Sequence, residues 1–128
     1  MLLNIHLEGE YMEEHAKKLQ LNVEAVAHAR KLIQEGKVDT QTSWEQGKPD
    51  AHAENRYLDD HSFDDFGKWF LGIASDTPND VKEHYAFPYG NFEKVYRHGL
   101  IAAKQRAAQF GHTDIEQAAG MLLDMIGE

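Results

Sequence analysis

Apolar residues recur at helical spacing along most of this chain, and the strict alternation of half-buried strands is nearly absent. Tyr11, Met12, His15, Ala16 and Leu19 share one side of a helix expected over residues 10–20. Asn22 suits the N-cap of the next helix, because its side chain can accept from a free N–H of the first turn. That helix carries a stripe of Val23, Val26, Ala27, Arg30 and Ile33, with Leu32 beside it, and Gly36 ends it. The periodicity fails over 37–50. Thr40, Thr42, Ser43, Gly47, Lys48 and Pro49 make a loop there, which Trp44 anchors by packing. A short helix is expected over 50–58.

Ser62-Phe63-Asp64-Asp65 reads as a capping box with Asp in place of Glu. The helix it opens carries Phe63, Phe66, Trp69, Phe70 and Ile73. Gly67 inside it costs ~1 kcal/mol against Ala, so another element is expected to approach closely there. Thr77-Pro78-Asn79-Asp80 is a helix start. Pro88 keeps that helix short by disfavouring helical geometry at Phe87. Asn91 is placed to cap a long helix with Phe92, Val95, Tyr96, Gly99, Leu100, Ala103, Ala107 and Phe110 on its apolar stripe. Gly111 ends it, and Thr113-Asp114-Ile115-Glu116 is a full capping box for the last helix. Ile115, Ala118, Ala119, Leu122, Met125 and Ile126 form that helix's apolar face. The pattern predicts a single all-α domain over 1–128, a compact helical bundle of five to seven helices ending in a helical hairpin. Residues 1–10 read either as an arm or as a short strand.

Composition narrows the chemistry. A chain of 128 residues, 41% hydrophobic, can build a core without staples. Cysteine is absent, so disulfides, thiolate nucleophiles and Cys-type zinc sites are excluded. The longest apolar runs fall short of the ~18 residues that cross a bilayer, and the start has no basic region typical of a signal peptide. The expectation is a cytoplasmic protein with no membrane partner. Its net charge of −9 disfavours nucleic acid, which is bound by neutralising phosphates. The charge is uneven: between Glu93 and Arg106 four bases (Lys94, Arg97, Lys104, Arg106) face one acid.

Several motifs together resemble a group of small uncharacterised bacterial proteins. These are Trp44-Glu45, Glu54-Asn55-Arg56-Tyr57-Leu58, Phe66-Gly67-Lys68-Trp69-Phe70-Leu71-Gly72-Ile73 and Tyr85-Ala86-Phe87-Pro88-Tyr89-Gly90-Asn91-Phe92-Glu93-Lys94-Val95. The likeness continues through Arg97-His98-Gly99-Leu100 and His112-Thr113-Asp114-Ile115-Glu116. More loosely, Tyr-x-Phe-Pro before an Ala-rich helix is similar to segments near phage prohead proteins. The resemblance implies a bacterial or phage origin and a free-standing domain, and it implies no catalytic residues.

Among candidate chemistries, His52, Glu54, Asp59, Asp60, His61, Asp64 and Asp65 crowd one short stretch and are the ligand types left without cysteine. His52, Glu54, Asp60 and His61 are the metal or enzyme alternative. Against it, no spacing sets two ligands on one helical face, and Asp64 and Asp65 are explained by the dipole of a first helical turn. No Ser lies in a nucleophile elbow, and no phosphate loop occurs. The last two helices have helix-turn-helix length, but the second carries Asp114, Glu116 and Asp124 and no base, the wrong charge for a DNA groove. Tyr85, Phe87, Pro88 and Tyr89, beside Lys94, Arg97 and Lys104, combine rigid aromatics with positive charge, as interfaces do. The expected role is a non-catalytic interaction domain with no cofactor, binding another protein or itself as a weak homodimer. The alternatives are the His/carboxylate site and an acidic DNA mimic or phage-related inhibitor.

Overall fold

A computed structural model of the chain describes residues 19–127. The expected arm over 1–10 and most of the expected helix over 10–20 lie outside them. In chain order the elements are β1 (Leu19–Leu21), α1 (Val23–Gln34), β2 (Val38–Asp39), α2 (Trp44–Gly47), α3 (Ala51–Asp60), α4 (Phe63–Gly67) and β3 (Phe70–Ala74). A 3-10 turn at Lys82–His84 follows, then β4 (Tyr85–Pro88), β5 (Val95–Tyr96), α5 (Arg97–Gln109) and α6 (Thr113–Ile126).

The all-α helical bundle is thereby corrected to a mixed α/β fold. Three antiparallel strands form a sheet in the order β1-β3-β4, and β2 pairs in parallel with β5. Leu21 lies opposite Gly72, and Gly72 lies opposite Ala86. The reason for the misreading is local. Phe70-Leu71-Gly72-Ile73-Ala74 is apolar throughout and buried on nearly every residue, because it is the central strand. A short continuous apolar run has no period that separates strand from helix. The aromatic helix from Ser62 therefore stops at Gly67. Ser62 caps it as expected, its hydroxyl accepting from the Asp65 N–H at 3.1 Å.

Two other expected helices change. After Thr77-Pro78 there is only a turn and the 3-10 segment. The long helix begins at Arg97 rather than at Asn91. Asn91 Oδ1 accepts from the Glu93 and Lys94 N–H groups at 3.0 and 2.7 Å, closing a tight turn, and Phe92 adopts φ 71°. Tyr96 and Val95 then join β2 before the helix can start. The expected loop over 37–50 contains β2 and α2, and Trp44 does anchor it, edge-on to Tyr96 at 5.9 Å.

Helix ends follow the sequence. Gly36 and Gly111 adopt φ +77° and +78° after α1 and α5. The next N–H folds back in each case, Lys37 to Leu32 and His112 to Ala107. The terminal hairpin α5–α6 packs on the sheet and on α1, burying Leu100, Ala103, Ala107, Ile115, Ala119 and Leu122. With Phe66, Leu71, Phe87 and Tyr89 these make one core. Gly67 is tight against the Tyr85 ring, so the expected close approach is met there.

Candidate functional site

The aromatic loop singled out by sequence is interior. Tyr85, Phe87 and Tyr89 are buried, and Pro88 is half-buried. Tyr85 packs edge-on to Phe66 at 5.6 Å and donates its hydroxyl to the Asn79 carbonyl at 2.6 Å. Tyr89 stacks near Trp69 and donates to the Lys68 carbonyl at 2.7 Å. Burial pushes both phenols up, so neither is a base. These rings tie the sheet to α4 and α1, and Tyr85 also reaches the walls of surface depressions.

The basic residues beside them separate. Lys94 is exposed in the turn before β5, near Asp39. The Asp39 carboxyl is held low first by the Thr42 and Gln41 N–H groups and the Thr42 hydroxyl, and least by Lys94. Arg97 is half-buried, with its Nε buried and without a hydrogen-bond partner among the described residues. Lys104 is exposed on α5, and its aliphatic stem runs beside Gly120 of α6. No single docking face results.

The His/carboxylate stretch does not converge either. His52 and Asp60 are exposed on α3. Glu54 pairs with Lys82 at 3.2 Å. His61 stacks on Tyr57 at 3.8 Å between ring centres, and its Nδ1 donates to the Tyr57 carbonyl at 2.9 Å, since a carbonyl only accepts. Among the described residues no three or more His, Asp or Glu side chains come together to hold a metal. No described helix is long and apolar enough to cross a membrane.

A depression of about 360 Å³ is lined by Tyr85 and Pro88 with the paired Glu54 and Lys82, and two further depressions are candidates for a site. One, about 410 Å³, lies between the start of α1, α4 and the 3-10 turn, and is lined by Glu24, Asp64, Asn79 and His84 among others. His84 Nδ1 donates to the Thr77 carbonyl at 3.0 Å, and the Tyr85 hydroxyl at its wall is already engaged. Glu24 and Asp64 give the depression its carboxylates.

The other is an apolar groove of about 450 Å³ between α1 and α6. It exists because α1 has two apolar faces. Ala25, Ala29 and Leu32 are buried, and their small side chains let the helix lie close on the core. Val23, Val26, Ala27 and Arg30 line the groove instead. At 100° per residue the two faces are centred roughly 140° apart. The stripe expected to face the core is thus corrected: its outer half points to solvent. Across the groove, α6 buries Ile115, Ala118, Ala119 and Leu122 and turns Met121 outward. Val23 is 69% exposed and Met121 38% exposed. Arg30 Nη1 donates to the Met121 sulfur at 3.9 Å. The sequence pattern places Val23 and Arg30 on a single apolar stripe and gives Met121 and Asp114 no part in an interface. The one available signal was that α1 carries more apolar positions than a single buried face needs.

Comparison of the chain with protein-family models, with curated proteins and with solved structures finds no match.

Proposed function

We propose that this chain is a cytoplasmic protein-interaction domain whose docking surface is the groove between α1 and α6. One observation carries the reading: Val23 and Met121, the large apolar side chains left exposed among the described residues, line the same groove. Apolar side chains scattered singly over a surface mean little, whereas apolar residues gathered in a groove with charged ends mark an interaction site. The groove is also made of two helices whose other faces are in the core, so it is preformed and costs little ordering on binding.

The test is site-specific photo-crosslinking in living cells, with a photoreactive residue at position 23, at position 121, or at Glu83 on an exposed turn. Discrete protein adducts are expected from 23 and 121 and not from 83. Adducts from 83 alone, or none above that background, overturn the reading.

A further inference from the structure

The groove has a polarity that names its occupant. Its walls, α1 and α6, run in the same direction. Leu21, which precedes α1, pairs with Gly72, and a side chain at Gly72 would meet Ile115 in the first turn of α6. Further along, seven residues after Val23 and seven after Asp114, Arg30 meets Met121. Asp114 and Val23 therefore sit at one end of the groove, and Arg30 and Met121 at the other. At 1.5 Å per residue the acid and the base are separated by roughly 10 Å along the groove axis. Arg30 and Asp114 are both exposed. Among the described residues neither is in an ion pair within its own copy.

Resting on the reading of this groove as a docking surface, we propose that its occupant is a second copy of this chain, packed groove to groove about a twofold axis. A twofold axis in the plane of the contact and oblique to the groove exchanges its Arg30 corner with its Asp114 corner, which lie at opposite ends on opposite walls. Arg30 of each copy then faces Asp114 of the other, while Val23 meets Val23 and Met121 meets Met121 close to the axis, between the two charge pairs. A twofold contact must be self-complementary. An acid at one end and a base at the other, with apolar residues between, meets that condition. A partner of one net sign would match only half of it. A standard interface takes ~800 Å² from each partner, and a contact made by two helices alone is expected to give a weak dimer. The screened rim charges make it weaker still at high salt.

The pairing predicts an exchange that a merely sticky surface does not show. In Arg30→Glu every cross-contact sets Glu against Asp114, and in Asp114→Arg every cross-contact sets Arg against Arg30. Each variant alone is expected to lose dimerisation by about tenfold or more, since like charges set opposite each other at an interface are strongly unfavourable. Mixed in equal amounts, the two form a heterodimer in which both cross-contacts are again opposite in sign. The double variant Arg30→Glu/Asp114→Arg dimerises like the natural chain. Sedimentation equilibrium of the full chain at low and high salt reads all four samples, and circular dichroism confirms that each is folded. The natural protein sedimenting as a monomer at every concentration overturns the inference, whether residues 1–18 or a foreign protein then fills the groove. Adducts from positions 23 and 121 in cells would in that case leave the docking surface standing with a different occupant. Single variants that still dimerise, or a mixture that fails to, overturn the twofold pairing.

Discussion

At the scale of single residues, buried polar groups decide more than their number implies. Asn22 looks like a helix cap, yet its side chain makes no cap bond. Its Nδ2 donates instead to the Gly67 and Phe70 carbonyls at 2.9 and 3.0 Å, pinning the start of α1 to the α4–β3 junction. Asn22→Leu leaves two buried acceptors unpaired and is expected to lower stability by about 1–3 kcal/mol. A urea melt shows this as a lower midpoint with an unchanged slope, and a neutral result would mean the clamp is idle. His28 lies edge-on to Trp69 at 5.0 Å, and its buried Nε2 has no hydrogen-bond partner among the described residues. Burial first, then Lys68 and Lys31, holds its pKa below the ordinary value of 6.5. The unfolded chain therefore binds the proton more readily than the native one. The neutral ring's contribution is complete above pH 6.5 and is lost as pH falls through the native value. Melts between pH 8 and 5 are expected to show this loss, and His28→Leu should flatten the profile. Gly99 offers the opposite case, because a Cβ there would lie 2.8 Å from the Tyr89 carbonyl oxygen and from the Trp44 ring. The main-chain carbonyl has nowhere to go. Gly99→Ala is expected to destabilise by about 1–3 kcal/mol, outweighing the ~1 kcal/mol that Ala gains in helix propensity.

At the scale of elements, the ends of helices were easier to read than their beginnings. Gly36 and Gly111 stop α1 and α5 where expected. The last capping box does not form: His112 occupies the cap position but makes no side-chain cap bond, and Thr113 is already the first helical residue. Thr113→Ala is therefore expected to be neutral within about 0.5 kcal/mol, as for other surface changes. Leu122, fully buried on α6, is expected to cost about 2–5 kcal/mol on truncation to Ala. Thermal melts of the two variants separate these outcomes, and a destabilising Thr113→Ala would restore the cap. The helix expected through Trp69 and Ile73 failed because strand β3 needs partners far away in sequence. No residue within 70–74 marks it as a strand, apart from Gly72, which weakens a helix as much as it permits a crowded strand.

At the scale of the whole molecule, one core joins α1, α4, the α5–α6 hairpin and the sheet, so unfolding should be a single event. Near- and far-ultraviolet circular dichroism are expected to follow one transition with the same midpoint, and separate midpoints would show that the α5–α6 hairpin is an independent unit. The groove lies outside that core. Val23→Asp should leave the melting of dilute protein unchanged while preventing association, and that contrast distinguishes a docking residue from a structural one.

The sequence alone determined whatever is decided within a few residues. The bodies of α1, α3, α5 and α6, the glycine stops and the Ser62 cap all follow from propensity, backbone freedom and local hydrogen bonds. Tertiary structure alone decided the strands, the interior position of Tyr85, Phe87 and Tyr89, and the choice of which apolar face of α1 is buried. Each of these depends on burial against a segment distant in the chain. An apolar residue is equally stabilised by a core or by a partner, and its pattern is the same in both. Val23 and Ala25 are both apolar and two positions apart. Only the packing of Ala25 beneath α1, and of nothing among the described residues over Val23, separates a core residue from a docking one.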